Sequence, residues 1–387
     1  MTGLIIRLFI KDHDQVKNPK VRERYGVVAG LVGILCNLFL TTFKIITGLV
    51  TGTMSIVADS INNLSDAASS IVTLIGFKLS GKPADKEHPY GHGRIEYIAG
   101  FVVAALVIAI AFELFVTSIK HIFEPVEMDV SITTIIILIV AICVKLWMFL
   151  FYSSFSKKIG SKAMKATALD SRNDCLTTGV ALISVIIKIA FDVNIDAYAC
   201  LIVSIFVLFA GIGSAMETME PLLGEAPNED LVSDIKEIVL SRDCVLGTHD
   251  LRVHEYGPTH TIASLHVELP YTMTLVEAHE VIDEIERELQ QKEIVKEVTI
   301  HVDPVVTDDE EMLELKEITI KILKKAIPAA DLHDFRMTRC DNINKLIFDI
   351  VVPYDYKRTD ESIKRELSDR LLKIRGDLEL VITVDRG

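Results

Sequence analysis

The sequence predicts an α-helical membrane protein, six transmembrane helices followed by soluble α+β domains, and three observations carry that prediction. Half of the residues are hydrophobic and 24% are charged, with a mean hydropathy of +0.38, too apolar for a soluble chain and too charged for one wholly in a membrane. The two properties are segregated, since residues 221–387 hold 36 acidic and 21 basic side chains whereas residues 1–220 hold 18 and 19. The apolar runs long enough to cross a bilayer all lie in the first part. This pattern excludes a single globular domain, a secreted disulfide scaffold and a nucleic-acid binder that relies on a basic face.

The amino-terminal arm, residues 1–26, starts apolar and turns charged through Lys11, Asp12, Lys17, Lys20, Arg22 and Arg24, without a cleavage pattern, and reads as cytoplasmic. Six spans are expected near 27–50, 54–79, 95–119, 131–155, 163–191 and 195–218, within a membrane domain of residues 27–220. Six spans place both termini on one side. The arm, the loop with Lys82, Lys86 and Arg94, and the loop with Lys157, Lys158, Lys162 and Lys165 carry the cations, so both termini are expected in the cytosol. The membrane is expected to be the cytoplasmic (inner) membrane of a prokaryote. The six cysteines are scattered with no CxxC pair, so neither a disulfide framework nor a zinc finger is expected.

Beyond Pro227 the periodicity becomes that of a soluble fold. A helix near 229–241, strands near 248–256 and 259–269, a helix near 275–290 and a strand near 296–302 give the order αββαβ. The order recurs with a helix near 309–327, strands near 333–341 and 345–353, a helix near 359–374 and a strand near 378–385. Residues 221–304 and 305–387 therefore read as a duplicated ferredoxin-like domain. His249-Asp250 aligns with His333-Asp334, and Val302-Asp303 with Val384-Asp385; Asp349 and Thr383 replace His266 and His301. The second copy is a degenerate one, suited to stabilising a dimer or binding an unidentified partner.

Two spans hold carboxylates inside their apolar runs, where each charge costs at least ~2.5–3.5 kcal/mol to insert. In the second span Asn62 and Asp66 are four residues apart, as are Asp170 and Asp174 in the fifth, so each pair shares a helix face. Turned together, the faces offer one amide oxygen and three carboxylates, a compact site for a divalent cation. A polar clamp in which Arg172 neutralises one Asp, or a metal-free proton relay, is the competing reading. Asp59 and Asn63 are second candidates on a neighbouring face. Lys44, Glu113 and Lys188 are expected to snorkel to the outer surface, and Lys145 and Trp147 receive no role.

The six spans, the paired ligands, the loop from Pro83 to Glu96 and the histidine-bearing αββαβ tail together resemble the cation diffusion facilitator transporters over about residues 20–304. The resemblance implies a transport site at Asn62, Asp66, Asp170 and Asp174. Zinc-transporting relatives carry a His in the first position of at least one pair, so Asn62 and Asp170 resemble the manganese-type branch. An all-oxygen site also suits Mn²⁺, whereas imidazole favours Zn²⁺. The resemblance further implies a homodimer that exports the metal against protons by alternating access, with no enzymatic chemistry. It implies a peripheral metal site at Asp85 and His92, to which the loop adds His88. It implies a binuclear site at the dimer interface, matched here by His249, His266, His279, His301 and Asp303, with His254 and His260 as bystanders. Arg94 and Glu220 resemble a charged pair that interlocks family dimers. The alternatives are an exporter of Zn²⁺, Fe²⁺, Co²⁺ or Cd²⁺, and a metal-sensing membrane protein or channel without proton-coupled transport.

Overall fold

The computed structural model describes residues 2–10, 12–16, 18–51, 54–124, 131–340 and 343–386. The chain divides into two compact units, one of Met1–Ala226 with His254–Thr261, the other of Pro227–Val253 with Ile262–Gly387.

The first unit is helical: α1 (Thr2–Phe9), then six long helices, α2 (Pro19–Thr51), α3 (Met54–Ser80), α4 (Ile95–Phe123), α5 (Ile132–Ile159), α6 (Lys162–Phe191) and α7 (Asp196–Leu223). Among the described residues α2 and α4–α7 are long and apolar enough to cross a membrane. The 27-residue α3 matches them in length, but Asp59, Asn62, Asn63 and Asp66 interrupt its apolar run. Pro19 opens α2, where its missing N–H costs no helical hydrogen bond. Between α5 and α6 the chain turns in two residues: Gly160 takes the left-handed conformation (φ 60°), and the Ser161 hydroxyl accepts the Met164 N–H at 3.1 Å.

Close approach of α2 and α3 follows from Gly26 and Gly30, one turn apart on α2. A Cβ at Gly30 would lie 2.5 Å from Leu74 Cβ, and one at Gly26 would run into the Phe77 ring. Tyr25, Phe77, Phe151, Tyr152 and Phe155 fill the adjoining core, with Tyr25 edge-on to Phe155 at 5.0 Å. The buried Arg22–Glu96 pair (2.9 Å) ties α2 to α4, and the same guanidinium donates to the Ile159 carbonyl at the end of α5. Outward-facing Leu35, Phe39, Ile46, Ile202, Phe206 and Phe209 present a hydrocarbon surface suited to lipid. Lys188 does reach past its helix, to Asp192 (2.6 Å), but Lys44 is buried and does not snorkel.

The second unit contains α8 (Glu229–Leu240), β1 (Gly247–Glu255), β2 (Thr261–Pro270), α9 (Leu275–Gln291) and β3 (Glu297–Val305), then α10 (Glu310–Ala326), β4 (Asp331–Cys340), β5 (Ile343–Val352), α11 (Asp360–Ile374) and β6 (Leu378–Arg386). Two three-stranded sheets result, ordered β1-β2-β3 and β4-β5-β6, with β2/β3 and β5/β6 parallel. Strict alternation sends Ala263, Leu265, Val267 and Leu269 into the core with α8 and α9, and leaves His266 and Glu268 on the opposite face of β2. Leu346, Phe348, Ile350 and Val352 repeat this on β5 beneath α10 and α11.

Candidate metal centre

In the helical unit, three carboxylates come together. Ligand atoms of Asp66 on α3 and of Asp170 and Asp174 on α6 lie within 4.8 Å of one another, with Asp66 and Asp170 buried. The i,i+4 spacing places both α6 carboxylates on one face. The Thr73–Thr167 hydroxyl contact (3.0 Å) joins that face to α3 below the cluster. Asn62 belongs to α3, but its side chain, like that of Asp59, lies outside the described residues.

The cation in the cluster is Lys145 of α5, not Arg172. Its Nζ donates to Asp66 Oδ2 (2.6 Å), Asp174 Oδ2 (2.7 Å) and Asn37 Oδ1 (3.0 Å). Among the described residues Arg172 reaches only Asn173 Oδ1, at 3.5 Å. With all three carboxylates ionised, they and one ammonium would leave two negative charges, the complement of one dication. Lysine is a compact charge on a flexible stem, so its ammonium can yield the oxygens it holds. Asn63 Nδ2 and Asn173 Nδ2 are buried and find no hydrogen-bond partner among the described residues.

A second cluster occupies the loop between α3 and α4. Asp85 Oδ1 accepts the backbone N–H groups of His88 (2.7 Å) and Glu87 (3.0 Å), which hold its carboxyl below the usual range. His92 Nε2 lies 3.4 Å from Asp85 Oδ2 and His88 Nδ1 3.5 Å from Asp85 Oδ1. His92 Nδ1, 3.2 Å from the Pro83 carbonyl, is oriented as a donor, which leaves Nε2 to face the carboxylate. Arg94 donates to the Glu255 carbonyl (3.0 Å) and lies over the Tyr256 ring; it makes no described contact with Glu220.

The third cluster sits on the polar face of the first sheet. Parallel pairing sets His266 beside His301 and Glu268 beside Asp303. Asp303 Oδ2 lies 2.9 Å from His266 Nδ1 and 3.2 Å from His249 Nε2, and Asp303 Oδ1 lies 3.2 Å from His301 Nε2. Burial opposes ionisation of Asp303, but the two imidazoles facing Oδ2 hold its pKa below the ordinary value. Ligand atoms of His249, His266 and Asp303 fall within 4.8 Å, a nitrogen-rich set that fits Zn²⁺ or a neighbouring dication. His301, largely exposed, stands at the rim. His279 is exposed on α9 and joins no described cluster within the chain.

Lys145 and Asn37 were invisible to spacing arguments. The sequence signal was one lysine inside the apolar run of α5 and one amide inside that of α2, and neither has a carboxylate one turn away. Similarly, Glu268 gave no signal, although with His249 and His333 it forms a further group of ligand atoms within 4.8 Å.

Residues 30–223 match the family profile described as the cation efflux transmembrane domain, and residues 227–305 the one described as the cation efflux protein cytoplasmic domain. An uncharacterized transporter of Methanocaldococcus jannaschii is 30% identical over 273 residues, 70% of this chain and 96% of the relative. The cation-efflux pump FieF of Escherichia fergusonii is 31% identical over 287 residues, 73% of this chain and 95% of the relative. FieF of Cronobacter sakazakii is 30% identical over 276 residues, 71% of this chain and 92% of the relative.

Proposed function

Because the chain belongs to the cation efflux family, a family of integral membrane transporters of divalent cations and not of enzymes, we propose that it is a Mn²⁺/H⁺ antiporter that works by alternating access. The buried group of Asp66, Asp170 and Asp174 carries this reading. Its described donors are all oxygen, which suits a hard six-coordinate ion, and Asn62 of α3 would supply a fourth. Carboxylates that hold a dication release it when protons compete, so an inward proton gradient drives metal outward. Lys145 acts as the resident countercharge: its ammonium holds the site closed without metal and gives up Asp66 and Asp174 as the dication enters.

Six helices, α2–α7, would cross the membrane with both termini in the cytosol, in the manner of the positive-inside loops. The two αββαβ halves would be a duplicated ferredoxin-like domain, and two chains would associate as a homodimer. A metal ion held by His249, His266 and Asp303, with His301 at its rim, would bring positive charge to the polar sheet face. His279, exposed on α9, would serve a second protomer. Asp85, His88 and His92 would form the peripheral loop site.

Flux into reconstituted vesicles under an imposed pH gradient tests the reading, with Mn²⁺ and Zn²⁺ compared for the wild type, Asp174→Ala and Asn62→His. Mn²⁺ flux with accompanying proton flow, lost in Asp174→Ala and shifted toward Zn²⁺ in Asn62→His, is the expected result. Full transport in Asp174→Ala would overturn it. The nitrogen-rich cluster of His249 and His266 favours a second reading, export of Zn²⁺; equal Zn²⁺ and Mn²⁺ flux in the wild type would select it.

A further inference from the structure

The strands that begin each half of the second unit carry the same local irregularity. Asp250 on β1 and Asp334 on β4 both have positive φ, 50° and 46°, and the β4/β5 register shifts between His333 and Arg336. A residue in this conformation breaks the two-residue alternation of a strand. Leu251 and Phe335 therefore turn to the hydrophobic cores, while His249 and His333 are carried to the polar faces.

The two histidines hold matching places in the two halves, and their rings stack at 4.8 Å with 22° between planes. Contact between matching residues fits a local two-fold relation between the parts they belong to. The charged neighbours are reciprocal in the same way. Asp334 stands within electrostatic reach of Asp303 of the other half, and Asp385, the counterpart of Asp303, stands within reach of Asp250. The appended repeat thus lays its polar sheet face on the face that bears the histidines.

His249 is buried between two sets of ligands. Its Nε2 faces Asp303, and its Nδ1 points the other way, 3.7 Å from Glu268 Oε1, too far for a hydrogen bond. That Nδ1 is buried and has no hydrogen-bond partner among the described residues, with the side chain only 6% exposed. Ligand atoms of His249, Glu268 and His333 lie within 4.8 Å of one another, with His333 offering a ring nitrogen. An ion with bonds of roughly 2.0–2.2 Å draws three such atoms into one coordination sphere by small side-chain movements.

We propose that His249, Glu268 and His333 form a divalent-metal site of their own, in which the second αββαβ repeat supplies His333 and the ion fastens the two repeats together. Two imidazoles and a carboxylate select a late first-row dication such as Zn²⁺. Because a neutral imidazole has one lone pair, an ion on Nδ1 of His249 competes with an ion on Nε2. The appended repeat therefore draws metal away from the His266–Asp303 position. The site stands independently of the transport reading, since it rests on no residue of the membrane cluster.

The test reads coordination directly in the detergent-solubilised full chain, with Co²⁺ as the probe after chelator treatment. His333→Cys is expected to give a near-ultraviolet thiolate-to-cobalt band absent from the wild type and from Arg336→Cys, an exposed position on the same strand. Adding Glu268→Gln is expected to weaken Co²⁺ binding at that band at least tenfold. If His333→Cys shows no such band while the imidazole-ligated Co²⁺ bands of the wild type persist, or if Arg336→Cys shows the same band, the site is overturned. Should His333→Cys fail to fold, His333→Ala decides: Zn²⁺ binding with one class of sites weakened at least tenfold supports the site, and an unchanged isotherm overturns it.

Discussion

The Nζ of Lys145 on α5 lies 2.6 Å from Oδ2 of Asp66 on α3, so a carboxylate that spacing marks as a metal ligand is also the partner of a buried ammonium. The same nitrogen holds Asp174 on α6 at 2.7 Å and Asn37 on α2 at 3.0 Å, and one side chain thereby fastens four helices. Removal of the lysine charge, as in Lys145→Met, leaves like charges buried without compensation. Thermal melts of the metal-free protein in detergent should show a loss of about 3–5 kcal/mol. Saturating Mn²⁺ should restore most of it, because the dication binds the folded state alone. A melt unchanged by the substitution would remove Lys145 from the centre of the site.

The Arg22–Glu96 pair should behave differently from a surface ion pair. Both side chains are buried, and Arg22 also supplies the Ile159 carbonyl at the end of α5. Glu96→Gln is therefore expected to destabilise by about 3–5 kcal/mol. The exchanged pair Arg22→Glu with Glu96→Arg should not recover it, since a glutamate cannot donate to Ile159. Recovery in that double variant, read by thermal melting, would show that the charges alone matter.

Helix approach at Gly30 gives a sharp contrast. A Cβ there meets Leu74 Cβ at 2.5 Å, whereas a Cβ at Gly213 on α7 meets nothing within 4 Å. Gly30→Leu should cost about 1–3 kcal/mol or more through forced separation of α2 and α3. Gly213→Ala should leave the melting temperature unchanged or slightly raised. Equal effects of the two would mean that α2 and α3 do not pack through this glycine.

The start of α9 provides a pH-dependent element away from any metal ligand. Glu277 accepts from the Thr274 backbone N–H and hydroxyl, and those bonds lower its pKa. A carboxyl with a folded pKa below its unfolded one stabilises above the unfolded value, about 4.3, and the contribution fades as pH falls through the folded value. Wild type should therefore exceed Glu277→Gln in stability by a constant margin from neutrality down to about pH 5, and the margin should shrink at lower pH. Chemical denaturation of the two proteins across that range is the measurement, and a margin independent of pH would sink the assignment.

The long helices were legible because bilayer thickness sets a length that apolar runs either reach or miss. The αββαβ order was legible from periodicity, and the tail ligands from the resemblance of their positions to those of the family. Asp170 and Asp174 could be placed on one face because four residues make about one helical turn. Lys145 and Asn37 could not be read as members of the site, because their partners lie on other helices and only the packing of α2, α3, α5 and α6 unites them. His333 was recognisable as a retained residue, but its position against His249 depends on how two sheets meet and on a bulge that no local pattern announces.

The stack of His249 on His333 has a kinetic corollary. A ligand donated by another protomer reaches its site at a rate set by protein concentration and is lost on dilution, as would hold for His279 across a dimer. His333 is joined to His249 by its own chain, so its local concentration is fixed by the linker, however scarce the protein. Loading of such a position follows metal concentration alone, and its response to metal stays constant from the first copy in the membrane to the last.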